Sequence, residues 1–456
     1  ASPIDAYTTI KRLSVDWNEI VNQFREPDWL EIERLMMESN DTFPRQTDLV
    51  DAGEALIRLQ KTYRLNLTDL TRGIIMGHQS MAYLSGADCF YFGQLLYNKA
   101  DYEHATQWFQ EALTKVNFEK QPSVTPRSIH SYLSSSLELR ISVNRPLYST
   151  ANLLTGLHIS AQKRESTFTF NRKFGNRPSH SSANVCTGLY TQTQMSEQAY
   201  TFERKCVNHS LHAYVPPDQA PNALCRGEKI RNASEEKDLF CLYDVPHPYF
   251  KIGPVKVEQM NKNPYVLQFY DVLWPQEIKA FRRMGDPQLE RATVRDTARN
   301  TVSHARVSQV AWISPDSDVL LDRVNARVAM LTGLSHRLRK YNSYGPGGHY
   351  EPHHDYLEEL DEVDKLGGDR IATFMFYLSD VNLGGSTVFP YAKAGVMPKM
   401  GSAAFWYNMR EDGSYDRATL HGACSVLHGT KHVVNLWFRT NGQTFKRPCP
   451  VKRQDS

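Results

Sequence analysis

No run of 18 or more apolar residues occurs in these 456 residues, so no segment reads as a membrane span. An excess of one charge is missing too: 53 basic residues face 50 acidic ones, for a formal net charge of +3. That is too little, over this length, to argue for nucleic acid. None of the seven cysteines (Cys89, Cys186, Cys206, Cys225, Cys241, Cys424 and Cys449) stands in a CxxC pair, which argues against zinc ribbons and thioredoxin-like chemistry. Cys225 with Cys241 and Cys424 with Cys449 are two separated pairs, and their spacing fits disulfides and buried thiols equally well. What remains is an ordinary globular composition, 41% hydrophobic and 23% charged, long enough for two or three cores. The sequence opens at Ala1 rather than Met, which raises the expectation of a removed signal peptide or of trimming for expression. Sequons at Asn40, Asn66, Asn208 and Asn232 are about as many as chance supplies and add only a little to a secretory reading.

Apolar periodicity divides the chain. Ile10, Leu13, Trp17, Ile20, Val21 and Phe24 recur at helical spacing, followed by Leu30, Leu35 and Met36, and then by Leu49, Ala52, Leu56, Leu59 and Tyr63. Residues 1–80 are therefore expected to be helical, either packed on a core or pairing with another helix. Residues 81–160 are expected to hold tetratricopeptide-like helices. Gly93, Ala105, Phe109 and Ala112 fall at that repeat's small and aromatic positions. A second unit begins near Ser128 with Ile129, Tyr132, Leu133, Ser136 and Leu137, but Pro146 disfavours its second helix. Residues 161–240 read as a polar, irregular linker, with Lys163, Arg164, Arg172, Lys173 and Arg177 as a solvated face. From 241 to 456 the pattern is short β-rich runs: 265–269, 371–378, 403–407 and 432–438. Gly345-Pro-Gly-Gly, Gly367-Gly-Asp and Gly384-Gly-Ser separate them, and a helix with Val319, Val324, Val328 and Leu331 ends before Gly333. The fold class expected is multidomain α plus β, with helical and tetratricopeptide-like parts ahead of a jelly-roll, a double-stranded β-helix.

Chemistry concentrates in Tyr350-Glu-Pro-His-His-Asp-Tyr. Two residues apart on a strand, His353 and Asp355 would share a face. One imidazole and one carboxylate are two-thirds of a facial triad for iron(II). With 16 histidines in the chain, about one such triplet arises by chance, so the context matters. His421, between the runs at 403–407 and 432–438, is the best third ligand, ahead of His354, His428 and His432. Lys431 opens a strand expected to be buried. An unpaired buried ammonium is costly, and a carboxylate of 2-oxoglutarate would pair with it. The alternative is a surface lysine at a turn.

Residues 341–449 resemble the catalytic domain of the collagen prolyl 4-hydroxylase alpha-subunit family, through Tyr344 to Asp355, Arg370 to Pro390, Gly401 to Asn408 and His421 to Trp437. Leu56-Ile-Arg-Leu-Gln-Lys-Thr-Tyr, Asp88-Cys-Phe and Cys225-Arg-Gly-Glu extend the resemblance over most of the chain, with 140–215 matching least. The resemblance implies hydroxylation of peptidyl proline in procollagen-type X-Pro-Gly sequences. It implies His353, Asp355 and His421 as ligands of iron(II), and Lys431 as the 2-oxoglutarate anchor. Tyr344 and Thr387 are implied in the cosubstrate pocket, Tyr350, Arg370 and Trp437 near the peptide groove, and Tyr132 on the peptide-binding helices. It further implies disulfides Cys225–Cys241 and Cys424–Cys449, L-ascorbate as reductant, the endoplasmic reticulum lumen, and a tetramer of two alpha subunits with protein disulfide isomerase as beta subunit. The sequence ends in Arg453-Gln-Asp-Ser without a retention signal, which a partner is expected to supply. Three features depart from the family pattern. Ser135 and Ser136 stand where it has an aromatic, Pro146 disturbs the repeat, and Cys186 and Cys206 are extra. Weaker grip on long polyproline chains is therefore expected. A different secretory-pathway peptide, or a non-catalytic peptide-binding or chaperone subunit, are the alternatives; the intact His353, Asp355, His421 and Lys431 speak against the second.

Overall fold

The computed structural model describes residues 2–16, 44–143, 219–295, 300–301, 304–314, 318–335, 338–360, 362–443 and 446–447. Pro146, Cys186, Cys206, Cys449, the irregular stretch up to residue 218 and the apolar positions from Trp17 to Met36 lie outside them.

Helix α1 (Pro3–Lys11) starts with proline, which fits a first turn, and is capped by the Ser2 side chain accepting from the Ile4 N–H. It buries Ile4 and Tyr7. Ile10 and Leu13 are only half-buried, and beyond Ile10 a π-helical turn at Arg12–Asp16 shifts the helical period. Helix α2 (Gln46–Tyr63) buries Leu49, Leu56 and Leu59 as their spacing predicts. The tetratricopeptide pair is α3 (Gly86–Asn98) and α4 (Tyr102–Val116). At Gly93 a Cβ would lie 2.4 Å from the Phe109 ring, so only glycine permits this approach. On α5 (Pro126–Val143) Ile129 and Ser136 are fully buried, while Leu137 is exposed. The buried face thus runs through Ser136, whose hydroxyl donates to the Tyr132 carbonyl, and not through Leu137. Helix α6 (Ala220–Cys225) follows.

The strands of the two larger sheets are, in chain order, β1 (Cys241–Asp244), β2 (Val255–Asn261), β3 (Val266–Tyr270), β4 (Glu290–Arg291), β5 (Arg306–Val307), β6 (Gln309–Ile313), β7 (Leu338–Tyr344), β8 (His349–His353), β9 (Arg370–Tyr377), β10 (Thr387–Phe389), β11 (Ala394–Val396), β12 (Ala403–Tyr407), β13 (His421–Ala423) and β14 (Lys431–Arg439). Nine form one sheet in the order β1-β2-β3-β12-β9-β14-β7-β6-β4, and five form the other, β11-β10-β13-β8-β5. This is the expected double-stranded β-helix. Helices α7 (Pro275–Gly285) and α8 (Val319–Thr332) cover the outer face of the larger sheet. Val319 is exposed at the start of α8 and Leu321 takes its place in the core.

Strand β14 shows how the sequence builds two environments at once. Val434, Leu436 and Phe438 join Phe281, Leu321 and Val324 in the core under the helices. The alternate residues Lys431, Val433, Asn435 and Trp437 face the second sheet. Tyr344, Met375, Tyr377, Phe389, Trp406 and Val433 pack between the sheets.

The helical layer rests on the β-structure. Leu427 belongs to the helical core, the Tyr63 hydroxyl donates to the Ser425 carbonyl at 2.6 Å, and Arg226 donates to the Thr62 carbonyl at 2.8 Å. A disulfide closes this contact: Cys225 is bonded to Cys424, 199 residues apart with Cα atoms 5.6 Å apart. This corrects both pairings that the resemblance implies. Cys225 ends α6, and Leu224, Val388 and Cys424 pack into one small cluster, whereas Cys241 is exposed on edge strand β1. Tertiary placement, not proximity in sequence, sets the pairing.

Mass mapping of non-reduced protein should therefore recover a peptide joining Cys225 to Cys424. Breaking the link by Cys225→Ala should cost about 2–4 kcal/mol in a denaturation experiment. A Cys225–Cys241 peptide would overturn the assignment.

Candidate active site

His353 ends β8 and His421 begins β13, and the two stand opposite each other in register. Asp355 lies two residues beyond β8, in a bend, so its sharing a strand face with His353 is corrected. Its Oδ2 accepts from the Thr373 hydroxyl at 2.8 Å and the Trp437 indole N–H at 3.2 Å, both on the larger sheet. Reaching them takes the chain out of the β8 ladder. One ligand atom from each of His353, Asp355 and His421 lies within 4.8 Å of the others. His353 Nε2 is 3.7 Å from Asp355 Oδ1, and His421 Nε2 is 3.8 Å from Oδ2.

Hydrogen bonds fix the tautomers. His353 Nδ1 is 2.8 Å from the Glu351 carbonyl and His421 Nδ1 is 2.9 Å from the Thr419 carbonyl. A carbonyl can only accept, so each Nδ1 carries the hydrogen and each Nε2 a lone pair. Burial holds both imidazoles below the usual histidine range, and so neutral. Burial alone would push the Asp355 carboxyl up, but the Arg370 guanidinium and the hydrogen bond donated by Thr373 hold it down and the group ionised. Two lone pairs aimed at a carboxylate repel it; a divalent cation at their common focus reverses the sign. The donor set therefore fits iron(II) in a two-histidine, one-carboxylate site. The Tyr350 ring stacks 3.5 Å from His353, and Phe389 and Trp406 wall His421. The other histidines have different partners. His354 Nε2 bonds the Arg417 carbonyl, His428 stacks on His78, and His432 meets the Tyr341 hydroxyl.

Lys431 is 1% exposed at the start of β14, as its place in the sequence predicts. Its ammonium donates to Thr387 Oγ1 at 3.1 Å and lies 5.6 Å from the Tyr344 and Tyr377 ring centres. The Tyr377 hydroxyl also donates to Thr387 Oγ1. Among the described residues no carboxylate pairs with Lys431, and burial lowers its pKa to about 7. Two ammonium hydrogens and the Thr387 hydroxyl hydrogen are left to donate, a set that fits one carboxylate of 2-oxoglutarate.

The residues expected at the peptide groove divide. Tyr350, Arg370 and Trp437 touch the metal focus itself. Arg370 sits 4.0 Å over the Trp437 ring and donates to the Asp355 backbone carbonyl. Tyr132 lies in an aromatic cluster with Phe90, Tyr97 and Phe109 in the helical core. Sequence reasoning missed Thr373, Tyr377 and Arg306. Arg306 donates to Asn342 and Ser308 and lies 4.7 Å over Tyr350. In the run Thr373-Phe-Met-Phe-Tyr, period two puts Thr373 and Tyr377 on one face, but uniform hydrophobicity hides which face is inward.

Replacing His353, Asp355 or His421 by alanine should abolish stoichiometric iron(II) binding, while His354→Ala retains it. Thr373→Val should weaken iron affinity by about 10–100-fold without unfolding the protein; unchanged affinity would remove Thr373 from the site. A carboxylate placed beside Lys431 favours its protonated form, so 2-oxoglutarate binding takes up a proton. Affinity should be full below the free pKa of about 7 and fall as pH rises above it, by about tenfold per unit. Binding titrations from neutral to alkaline pH check the sign.

Three family models match the sequence: "Prolyl 4-Hydroxylase alpha-subunit, N-terminal region" over residues 1–77, "Prolyl 4-hydroxylase peptide-substrate-binding domain" over 86–168, and "2OG-Fe(II) oxygenase superfamily" over 339–439. The chain is 34% identical to prolyl 4-hydroxylase subunit alpha-2 of Gallus gallus over 458 residues, covering 98% of this chain and 84% of that protein. It is 35% identical to subunit alpha-1 of Rattus norvegicus over 463 residues, with the same coverage. Subunit alpha-1 of Homo sapiens is 34% identical over 462 residues, again with 98% and 84% covered. The chain belongs to the prolyl 4-hydroxylase alpha-subunit family.

Proposed function

We propose that this chain hydroxylates peptidyl proline to 4-hydroxyproline, with His353, Asp355 and His421 holding iron(II) and Lys431 anchoring 2-oxoglutarate. The observation that carries the reading is the pairing of a neutral two-histidine, one-carboxylate focus with a buried lysine that has no acidic partner among the described residues, both facing the space between the two sheets. When bound, iron(II) and 2-oxoglutarate supply the oxidising power: decarboxylation of the keto acid to succinate and carbon dioxide is coupled to placing one oxygen atom of dioxygen into a C–H bond.

The chain's own groups position and shield. Thr373 and Trp437 fix the rotamer of Asp355, the Glu351 and Thr419 carbonyls fix the ring hydrogens of the two histidines, and Thr387 and Tyr377 steer the Lys431 ammonium. Phe389, Trp406 and Tyr350 exclude water from the focus. A vestigial binding subunit would have no need of this complete set.

Procollagen-like X-Pro-Gly peptides are the substrate class we favour, on the sequence resemblance described above; the names of the relatives support a peptidyl-proline substrate. The relatives are named as subunits, which supports an assembly with other chains; the form we favour is the one the sequence resemblance implies, a tetramer with a second alpha chain and protein disulfide isomerase. L-ascorbate would restore iron(II) after uncoupled turnover. The Cys225–Cys424 disulfide fits an oxidising compartment, and with the family it supports the endoplasmic reticulum lumen. Asn66 and Asn232 are exposed and cap helices through Oδ1 alone, leaving Nδ2 for a glycan.

Purified complex should release succinate and form 4-hydroxyproline on short X-Pro-Gly peptides. Absence of both with iron(II) and ascorbate present would refute the reading. Removing one member of a buried ion pair costs about 3–5 kcal/mol, so Lys431→Ala should raise the 2-oxoglutarate requirement by about 10²–10³-fold or more with iron binding intact. With Tyr132 half-buried against Phe90, Tyr97 and Phe109 and Ser135 in place of a further aromatic, KM should fall little as the peptide lengthens. A steep fall would show that the helical layer grips long polyproline chains.

A further inference from the structure

The inner face of the larger sheet carries one more cation that neither the metal focus nor the Lys431 pocket uses. Lys340 on β7 stands opposite Asn435 on β14 and Trp312 on β6. Directly opposed residues of antiparallel strands share a face, so Lys340 lies on the face that carries Lys431 and Trp437. Its ammonium is 5.0 Å from the Trp312 ring centre. Trp312 lies 6.1 Å from Trp437, whose indole holds Asp355. Trp312 is also 53% exposed, so this row of side chains leads from the metal focus out to solvent.

The charged groups acting on Lys340 are Arg306, Arg370 and Asp355. Arg306 is held by the neutral side chains Asn342 and Ser308, and Arg370 by the Asp355 backbone carbonyl. Among the described residues no ion pair involves Lys340, Arg306 or Arg370, and the Asp355 carboxylate is turned to the metal focus. Burial and the two arginines bring Lys340 down to about 7 against the more distant pull of the Asp355 carboxylate, so its ammonium is desolvated without a carboxylate in direct contact. Lys340 over Trp312, Arg370 over Trp437 and Arg306 over Tyr350 form a group of three cations in direct contact with neutral groups, which matches a carboxylate arriving from outside.

We propose that Lys340 is a specificity-determining residue that receives an acidic side chain close to the target proline, so that the preferred substrates are proline-containing peptides with a glutamate or aspartate beside that proline. The inference rests on the peptidyl-proline hydroxylase reading given above. Lys340 here acts on substrate choice and not on the reacting atoms.

The test uses the full chain in its assembled form and three peptides that differ at one residue beside the proline: glutamate, its isostere glutamine, and lysine. Equilibrium binding without dioxygen is measured beside KM and kcat. The glutamate peptide should bind about 10–100-fold more tightly than the glutamine peptide, the scale of one hydrogen-bonded charge pair. Lys340→Arg should keep that ratio, Lys340→Gln should bring it near unity, and Lys340→Glu should move the preference to the lysine peptide. A merely structural lysine would not transfer the preference with its charge. Equal binding of the glutamate and glutamine peptides, or a preference that survives Lys340→Gln, would overturn the proposal. A charge-dependent preference without hydroxylation of any peptide would support Lys340 as the acid receptor and sink the catalytic reading instead.

Discussion

Two imidazole lone pairs pointing at one buried carboxylate repel it, and the surrounding structure is arranged to keep them there. His353 and His421 stand opposite each other because β8 and β13 pair in that register. Their rings cannot turn away without losing the Glu351 and Thr419 carbonyls. Asp355 cannot swing out without stranding the Thr373 hydroxyl and the Trp437 indole in a dry interior, where an unmet donor costs about 1–3 kcal/mol. The two sheets thus contribute different things. The smaller supplies the imidazoles, while the larger supplies the donors that aim the carboxylate and the lysine that faces the cosubstrate. Because the metal focus lies between them, any slip of one sheet against the other would break the geometry. The Cys225–Cys424 link, three residues from His421, ties the end of β13 to α6.

The sequence carried the focus more plainly than it carried its support. His353, Asp355, His421 and Lys431 are legible because charged or polar types appear where the surrounding runs are apolar. A histidine, a carboxylate and a lysine inside a barrel demand explanation. The strands were legible for the same reason in reverse: 403–407 and 432–438 are too apolar and too β-branched or aromatic for loops. The supporting groups were not. Thr373 and Tyr377 lie in a run with little alternation, so nothing in the sequence says which face looks inward. That is decided only when α7 and α8 take Phe374 and Phe376. Arg306 sits on a two-residue strand, too short for any periodicity to register.

The cysteines show a different limit. Sixteen residues separate Cys225 from Cys241, and a short span invites pairing. Yet a disulfide requires Cα atoms about 4.4–6.8 Å apart, and that distance is set by where α6 docks. Helix α6 docks on β10 and β11, with Leu224 against Val388, which puts Cys225 beside Cys424. Local spacing cannot foresee a contact made across 199 residues. The same holds for Leu137 and Ser136. A leucine at helical spacing reads as core, but the neighbouring helix reaches only the Ser136 side of α5.

Burying Lys431 without an acid has a consequence for the fold as a whole. An ammonium held in a dry pocket with one neutral acceptor destabilises the empty protein, and the neutral histidines facing Asp355 do so again. Neither cost can be relieved by repacking, since β14 must also present Val434, Leu436 and Phe438 to the core under α7 and α8. The strand is held in register by its apolar face, and its polar face is carried along. The strain is relieved by ligands, a divalent cation at the focus and an anion at Lys431, and at Lys431 also by loss of its proton above a pKa of about 7. Whatever binds the folded state alone stabilises it in proportion to its concentration over its dissociation constant. The active site thus carries an electrostatic cost that its ligands offset, and its metal and cosubstrate act as structural as well as chemical partners.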